Sequence, residues 1–141
     1  MAPRAGMMIV SKSEVLPIRS SDDVVLVRQA VRRWAIELGF SLVDQTKMIT
    51  AASELARNAL DYGGGGSVRL ESLLDGARKG LRLTFEDSGP GIPDIELALT
   101  DGYTSGKGMG MGLGGSRRLV NEFAIESRVG EGTRVTISRW R

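Results

Sequence analysis

The chain has no cysteine and no histidine in its 141 residues. Without cysteine there are no disulfide frameworks, thiol nucleophiles or cysteine-based zinc sites. Without histidine there is no Ser-His-Asp hydrolysis within the chain, no imidazole general base, no HExxH metal site and no phosphohistidine intermediate. Acid–base chemistry therefore falls to Asp, Glu, Lys or Tyr. Long apolar runs are also missing: nothing approaches the roughly 20 consecutive apolar residues of a membrane span. Met1 to Val10 carry one arginine and a short apolar run with no cleavage-site pattern, so no signal peptide is expected and the cytoplasm is the expected compartment. The formal net charge is only +2 and the basic residues are spread along the chain, which gives a nucleic-acid partner little support.

What is present is an ordinary globular composition, 41% apolar and 26% charged. The length suits one compact domain over residues 1–141, within the usual range of roughly 100–200 residues. Met8 to Ile18 mix apolar and polar residues without helical spacing and read as one or two short strands, with Pro17 confined to a sheet edge. Ser20-Ser21-Asp22-Asp23 offers an N-cap, and Val24, Val27, Val31, Trp34 and Leu38 follow at helical spacing up to Gly39. A second helix is predicted over about Val43–Leu60, with Met48, Ala52, Leu55 and Ala59 as its apolar stripe. Gly63 to Gly66 end it. Strands follow at about Ser67–Leu74 and Gly80–Glu86 around an Asp75-Gly76 turn. A short helix near Pro93–Thr100, a helix over Gly115–Glu122 and strands at Phe123–Val129 and Thr133–Trp140 complete the chain. Hairpin-paired strands with helices between them predict an α/β sandwich with a mostly antiparallel sheet.

Three stretches carry chemistry. In Glu54-Leu55-Ala56-Arg57-Asn58 a carboxylate and an amide sit four residues apart and share a helix face. An amide oxygen suits magnesium, and a nearby carboxylate can orient and deprotonate a hydroxyl; the bland alternative is a solvated helix face. Asp87-Ser88-Gly89-Pro90-Gly91 closes a strand. Its aspartate can accept from an exocyclic amine and its glycines let the backbone approach a flat ring, although a simple tight turn has the same composition. Gly106-Lys107-Gly108-Met109-Gly110-Met111-Gly112-Leu113-Gly114-Gly115 runs into a helix. Free amides there could cradle phosphates, and the interleaved Met and Leu argue against a flexible linker. The GxGxxG string from Gly110 to Gly115 lacks a βαβ unit around it, and Lys107 is followed by Gly108 rather than Ser or Thr. Dinucleotide-fold and Walker A readings both fail on those grounds.

In this order the three motifs resemble the ATP site of the GHKL superfamily, which includes gyrase B, heat-shock protein 90, the sensor histidine kinases and MutL. The helix motif is similar to that family's N box, Asp87-x-Gly89-x-Gly91 to its G1 box, and the later glycines to its G2 box and ATP lid. Thr133, after Gly130-Glu131-Gly132, matches the threonine placed near the adenine. The resemblance implies the Bergerat ATP-binding fold, an α/β two-layer sandwich with a mixed, mostly antiparallel sheet and helices on one face, with ATP and Mg2+ as cofactors. Glu54 is then the general base and Asn58 the magnesium ligand. The implied ATP-binding set is Asn58, Asp87, Gly89, Gly91, Lys107, Gly108, Met109, Gly110, Met111, Gly112, Leu113 and Thr133.

Over almost the whole chain the sequence is similar to the RsbT-type switch kinases of bacterial stress signalling. Gly39-Phe40, Val43-Asp44-Gln45, Ser53 to Asn58, Asp101-Gly102-Tyr103, Arg117-Arg118-Leu119 and Asn121-Glu122-Phe123 carry this likeness. Leu113-Gly114-Gly115 departs from that pattern, where a proline is frequent. The resemblance implies a protein serine/threonine kinase acting on STAS-domain partners (RsbS- and RsbR-like) of a stressosome, which on release activates a PP2C-type, RsbU-like phosphatase. A SpoIIAB-like anti-sigma factor and a non-catalytic nucleotide-gated adaptor are the competing expectations. A histidine kinase needs a phosphoacceptor histidine and this chain has none, so the acceptor is expected on another protein.

Overall fold

The computed structural model describes residues 8–100 and 112–141. The chain opens with a single strand, β1 (Ile9–Ile18), which carries a bulge between Val10 and Lys12. Helix α1 (Ser21–Glu37) begins where predicted: the Ser20 hydroxyl accepts the Asp23 N–H at 3.3 Å, and the Asp23 carboxylate accepts the Arg19 N–H at 2.8 Å. Helix α2 (Leu42–Asp61) starts in the same way, with the Ser41 hydroxyl capping Asp44. Of the apolar positions at helical spacing, Val24, Val27, Val31 and Trp34 on α1 and Met48, Ala52, Leu55 and Ala59 on α2 are buried, whereas Leu38 is the C-cap of α1 and only half-buried.

Strands β2 (Gly66–Asp75) and β3 (Arg78–Asp87) form a hairpin, and β4 (Glu122–Arg128) and β5 (Gly132–Trp140) form another. Between the hairpins lie a one-turn helix, α3 (Ile95–Ala98), and helix α4 (Gly112–Arg118). The strands make one sheet in the order β1-β2-β3-β5-β4, and all four described pairings are antiparallel. Pro17 lies on β1, at the sheet edge, as expected of a residue without an N–H to donate.

Alternation along the strands separates two faces. Leu70, Leu83 and Ile137 are register partners across β2, β3 and β5 and are fully buried beneath the helices. The opposite face is polar: Arg82 pairs with Glu71 at 2.8 Å, and Arg134 bridges Glu86 and Glu126 at 3.3 and 3.2 Å. With only one apolar face to cover, the architecture is two layers.

Helix α4 departs from expectation. It occupies Gly112–Arg118 instead of Gly115–Glu122, and β4 already begins at Glu122. Glycine costs a helix interior roughly 0.5–1 kcal/mol relative to alanine, so local propensity argues against a helix at Gly114 and Gly115. Packing overrides that cost here: Leu113, Gly114, Gly115 and Ser116 are buried, and α4 packs against α2. A guanidinium ties the far ends together. Arg139 of β5 donates to the Leu119 carbonyl at 2.8 Å and to the Asp44 carboxylate of α2 at 2.7 Å.

Candidate functional site

A cavity of about 440 Å³ opens between α2, the C-terminal end of β3, the 90–94 loop, the start of α4 and β5. Its walls hold Glu54 and Asn58 of α2, Asp87 of β3, Gly91, Gly112, Leu113 and Thr133. Leu55, Ala59, Phe85 and Val135 give it an apolar lining. An apolar slot with a few convergent polar groups is the general form of a small-molecule site.

Each polar group is placed by local structure. Glu54 and Asn58 lie one turn apart on α2, half-buried, beside the stripe that enters the core. Neither side chain has a hydrogen bond or ion pair with another described residue, so both are free to meet a ligand. Asp87 ends β3, and its Oδ1 accepts the Gly89 N–H at 2.9 Å, which fixes the carboxylate across the turn. Gly89 itself is not among the lining residues; it lies behind, against Gly63. Gly91 has φ +79°, and a side chain there would run into the Arg128 carbonyl, so the turn that borders the cavity depends on glycine. Thr133 is the register partner of Asp87 across β3 and β5, and its hydroxyl lies 2.8 Å from that of Ser127.

Seven of the residues singled out from sequence therefore line one cavity: Glu54, Asn58, Asp87, Gly91, Gly112, Leu113 and Thr133. Lys107, Gly108, Met109, Gly110 and Met111 lie outside the described residues. Tyr62, Gly63, Ile92 and Leu97 also line the cavity, although no motif points to them. For Gly63 a signal exists: four consecutive glycines are more than a helix stop requires.

The donor set bears on a metal. The described residues contain no group of three or more His, Cys, Asp or Glu that could cage an ion. An uncommitted amide oxygen at Asn58, one turn from the Glu54 carboxylate, nevertheless fits magnesium, which needs hard oxygen ligands and usually keeps waters and substrate phosphates in its shell.

The chain belongs to the histidine kinase-, DNA gyrase B- and HSP90-like ATPase family, which it matches over residues 43–141. It is 47% identical over 118 residues to serine/threonine-protein kinase RsbT of Bacillus subtilis, an alignment covering 84% of this chain and 89% of that one. It is also 28% identical over 129 residues to an anti-sigma F factor of Clostridium novyi, covering 86% and 89% of the two chains. Among solved structures it resembles the RsbU and RsbW domains of a Mycobacterium tuberculosis protein, with TM-score 0.64 and 23% identity. That match covers 93% of this chain and 33% of the other, and it speaks for the fold alone. The Bergerat-type sandwich expected from the three motifs is thus the fold of the chain. No helix among the described residues is long and apolar enough to cross a membrane.

Proposed function

We propose that the chain is an ATP-dependent protein serine/threonine kinase acting on STAS-domain proteins of a stressosome-like complex, and that on release it binds and activates a PP2C-type phosphatase. The observation that carries this reading is the convergence of Glu54, Asn58, Asp87 and Thr133 on one apolar cavity, in a chain 47% identical to a named serine/threonine-protein kinase. In this reading residues 1–141 act as one unit in the cytoplasm.

Asp87 accepts the exocyclic amine of adenine, while Phe85, Leu55 and Val135 lie along the ring. Gly91 lets the backbone approach the base. Asn58 holds magnesium through its amide oxygen, and Lys107, Gly108, Gly110 and Gly112 serve the phosphates. Magnesium, when bound with ATP, supplies neutralisation of charge on the β- and γ-phosphates. Glu54 orients the serine or threonine hydroxyl of the acceptor and takes its proton. The acceptor oxygen then bonds to the γ-phosphorus as the bond to ADP breaks. Catalysis is mainly positioning and charge stabilisation, and the base contributes about 10²–10⁴-fold.

The test is phosphoryl transfer from Mg·ATP to the STAS-domain protein encoded nearest this gene, read by intact-protein mass spectrometry for wild type and Glu54→Gln. A phosphate added by wild type and nearly abolished in Glu54→Gln supports both the kinase and its base. No transfer by a protein that binds ATP normally favours the anti-sigma or adaptor reading, and the anti-sigma reading predicts co-purification with a sigma factor.

A further inference from the structure

Ser127 of β4 lies outside the cavity wall and belongs to none of the motifs, yet its hydroxyl holds three contacts at once. It accepts the Ile92 backbone N–H at 2.8 Å, donates to the Gly132 carbonyl at 3.1 Å and lies 2.8 Å from the Thr133 hydroxyl. Ser127 is the register partner of Thr133 across β4 and β5, and Thr133 is that of Asp87 across β5 and β3. The three residues thus form a row over adjacent strands that ends at the cavity, and Ile92 lies in the cavity wall.

A hydroxyl has one proton to give and two lone pairs to offer. The Ser127 proton goes to the Gly132 carbonyl, and the Ile92 N–H takes one lone pair. The remaining lone pair faces Thr133, which must therefore spend its own proton on Ser127. Thr133 is then left with lone pairs alone for the cavity. The Asp87 carboxylate, beside it, already accepts the Gly89 N–H and offers the cavity acceptor oxygens as well.

We infer that Ser127 is a positioning residue that locks the Thr133 hydroxyl as an acceptor, so that Thr133 and Asp87 together select a purine bearing an amino group over one bearing an oxo group at the same position. This rests on the nucleotide reading above and deepens it. Removing Ser127 frees the Thr133 proton, and the hydroxyl can then turn and donate to an oxo group. A site built to hydrogen-bond one group discriminates because the wrong ligand leaves buried polar atoms unpaired.

The experiment is calorimetric titration of the intact protein with ADP and with inosine diphosphate, whose base carries the oxo group. Wild type is expected to prefer ADP. Ser127→Ala should narrow the ADP-to-IDP preference by about tenfold or more, the scale of one lost buried hydrogen bond. Part of that change should appear as tighter IDP binding, which a merely structural role would not produce. Ser127→Thr, which keeps the hydroxyl, should restore the preference. If Ser127→Ala fails to fold, Ser127→Cys, a weak donor and acceptor of similar shape, carries the same test. An unchanged preference, or an equal loss of both affinities, overturns the inference and leaves Ser127 a structural clasp. A wild type that binds neither nucleotide overturns the underlying nucleotide reading as well, so the two failures are distinguishable.

Discussion

Gly63 stands where a side chain would displace Asp87: a β-carbon there would fall on that residue's carboxyl group. The end of α2 is thereby brought against the end of β3, with Gly89 closing in from behind; a β-carbon on Gly89 would lie 2.5 Å from the Gly63 α-carbon. The two walls of the cavity that bear Asn58 and Asp87 are spaced by this contact between backbone and side chain.

Gly63→Ala should therefore push the Asp87 carboxylate out of place. Nucleotide affinity is expected to fall by at least about tenfold, with a stability loss of about 1–3 kcal/mol from overpacking. Gly64→Ala is the control. That position has φ +73° but nothing within 4 Å of an added β-carbon. It should lose about 1–2 kcal/mol through backbone strain and leave affinity unchanged. ADP titration and urea unfolding of both variants separate the two effects.

Asn58→Ala removes the one uncommitted amide oxygen on the α2 wall of the cavity. The expected outcome is a rise, on the order of tenfold, in the magnesium concentration needed for half-maximal ATP binding. Binding of ADP in the presence of a chelator should change little. A magnesium titration at fixed nucleotide checks both, and equal loss with and without the metal would count against a ligand role.

The Asp44–Arg139 pair gives a pH signature. The Arg139 guanidinium, by hydrogen bond first and by charge second, holds the Asp44 carboxyl below its ordinary value of 3.8, although partial burial works the other way. A carboxyl with a depressed folded pKa binds its proton more weakly in the native state. Its stabilisation is therefore full above the unfolded value and lost as pH falls through the folded one. Asp44→Asn should cost stability at pH 7, and its difference from wild type should shrink below about pH 4. Urea midpoints at the two pH values test this.

Leu83 lies fully buried on β3 between Leu70 and Ile137, while its neighbour Thr84 looks out from the polar face. Leu83→Ala should cost about 2–5 kcal/mol, and Thr84→Ala within about 0.5 kcal/mol. Comparable losses in urea unfolding would contradict the two-layer assignment of faces.

Much of the fold is legible in the order of the amino acids. Helices α1 and α2 show because their apolar residues recur at 3.6-residue spacing, and Glu54 with Asn58 share a face by helix geometry alone. The hairpins show because turn residues at Asp75-Gly76 and Gly130-Glu131-Gly132 separate runs rich in strand formers. Helix α4 starts three residues earlier than its residue pattern predicts, because glycine carries no helical preference. Only burial against α2 puts Gly114 and Gly115 into a helix.

The sequence by itself determined which groups could act: no histidine or cysteine chemistry, a carboxylate and an amide on one helix face, and an aspartate at a glycine-flanked strand end. What only the tertiary structure decided was how those groups meet. Asp87 and Thr133 are 46 residues apart in the chain and become neighbours through the β3–β5 register. Gly63 and Ser127 acquire their parts from the same assembly, one by lacking a side chain where α2 meets β3, the other by offering a hydroxyl behind Thr133. Local propensity acts over a few residues, whereas register and close approach arise only when distant segments bury a common core.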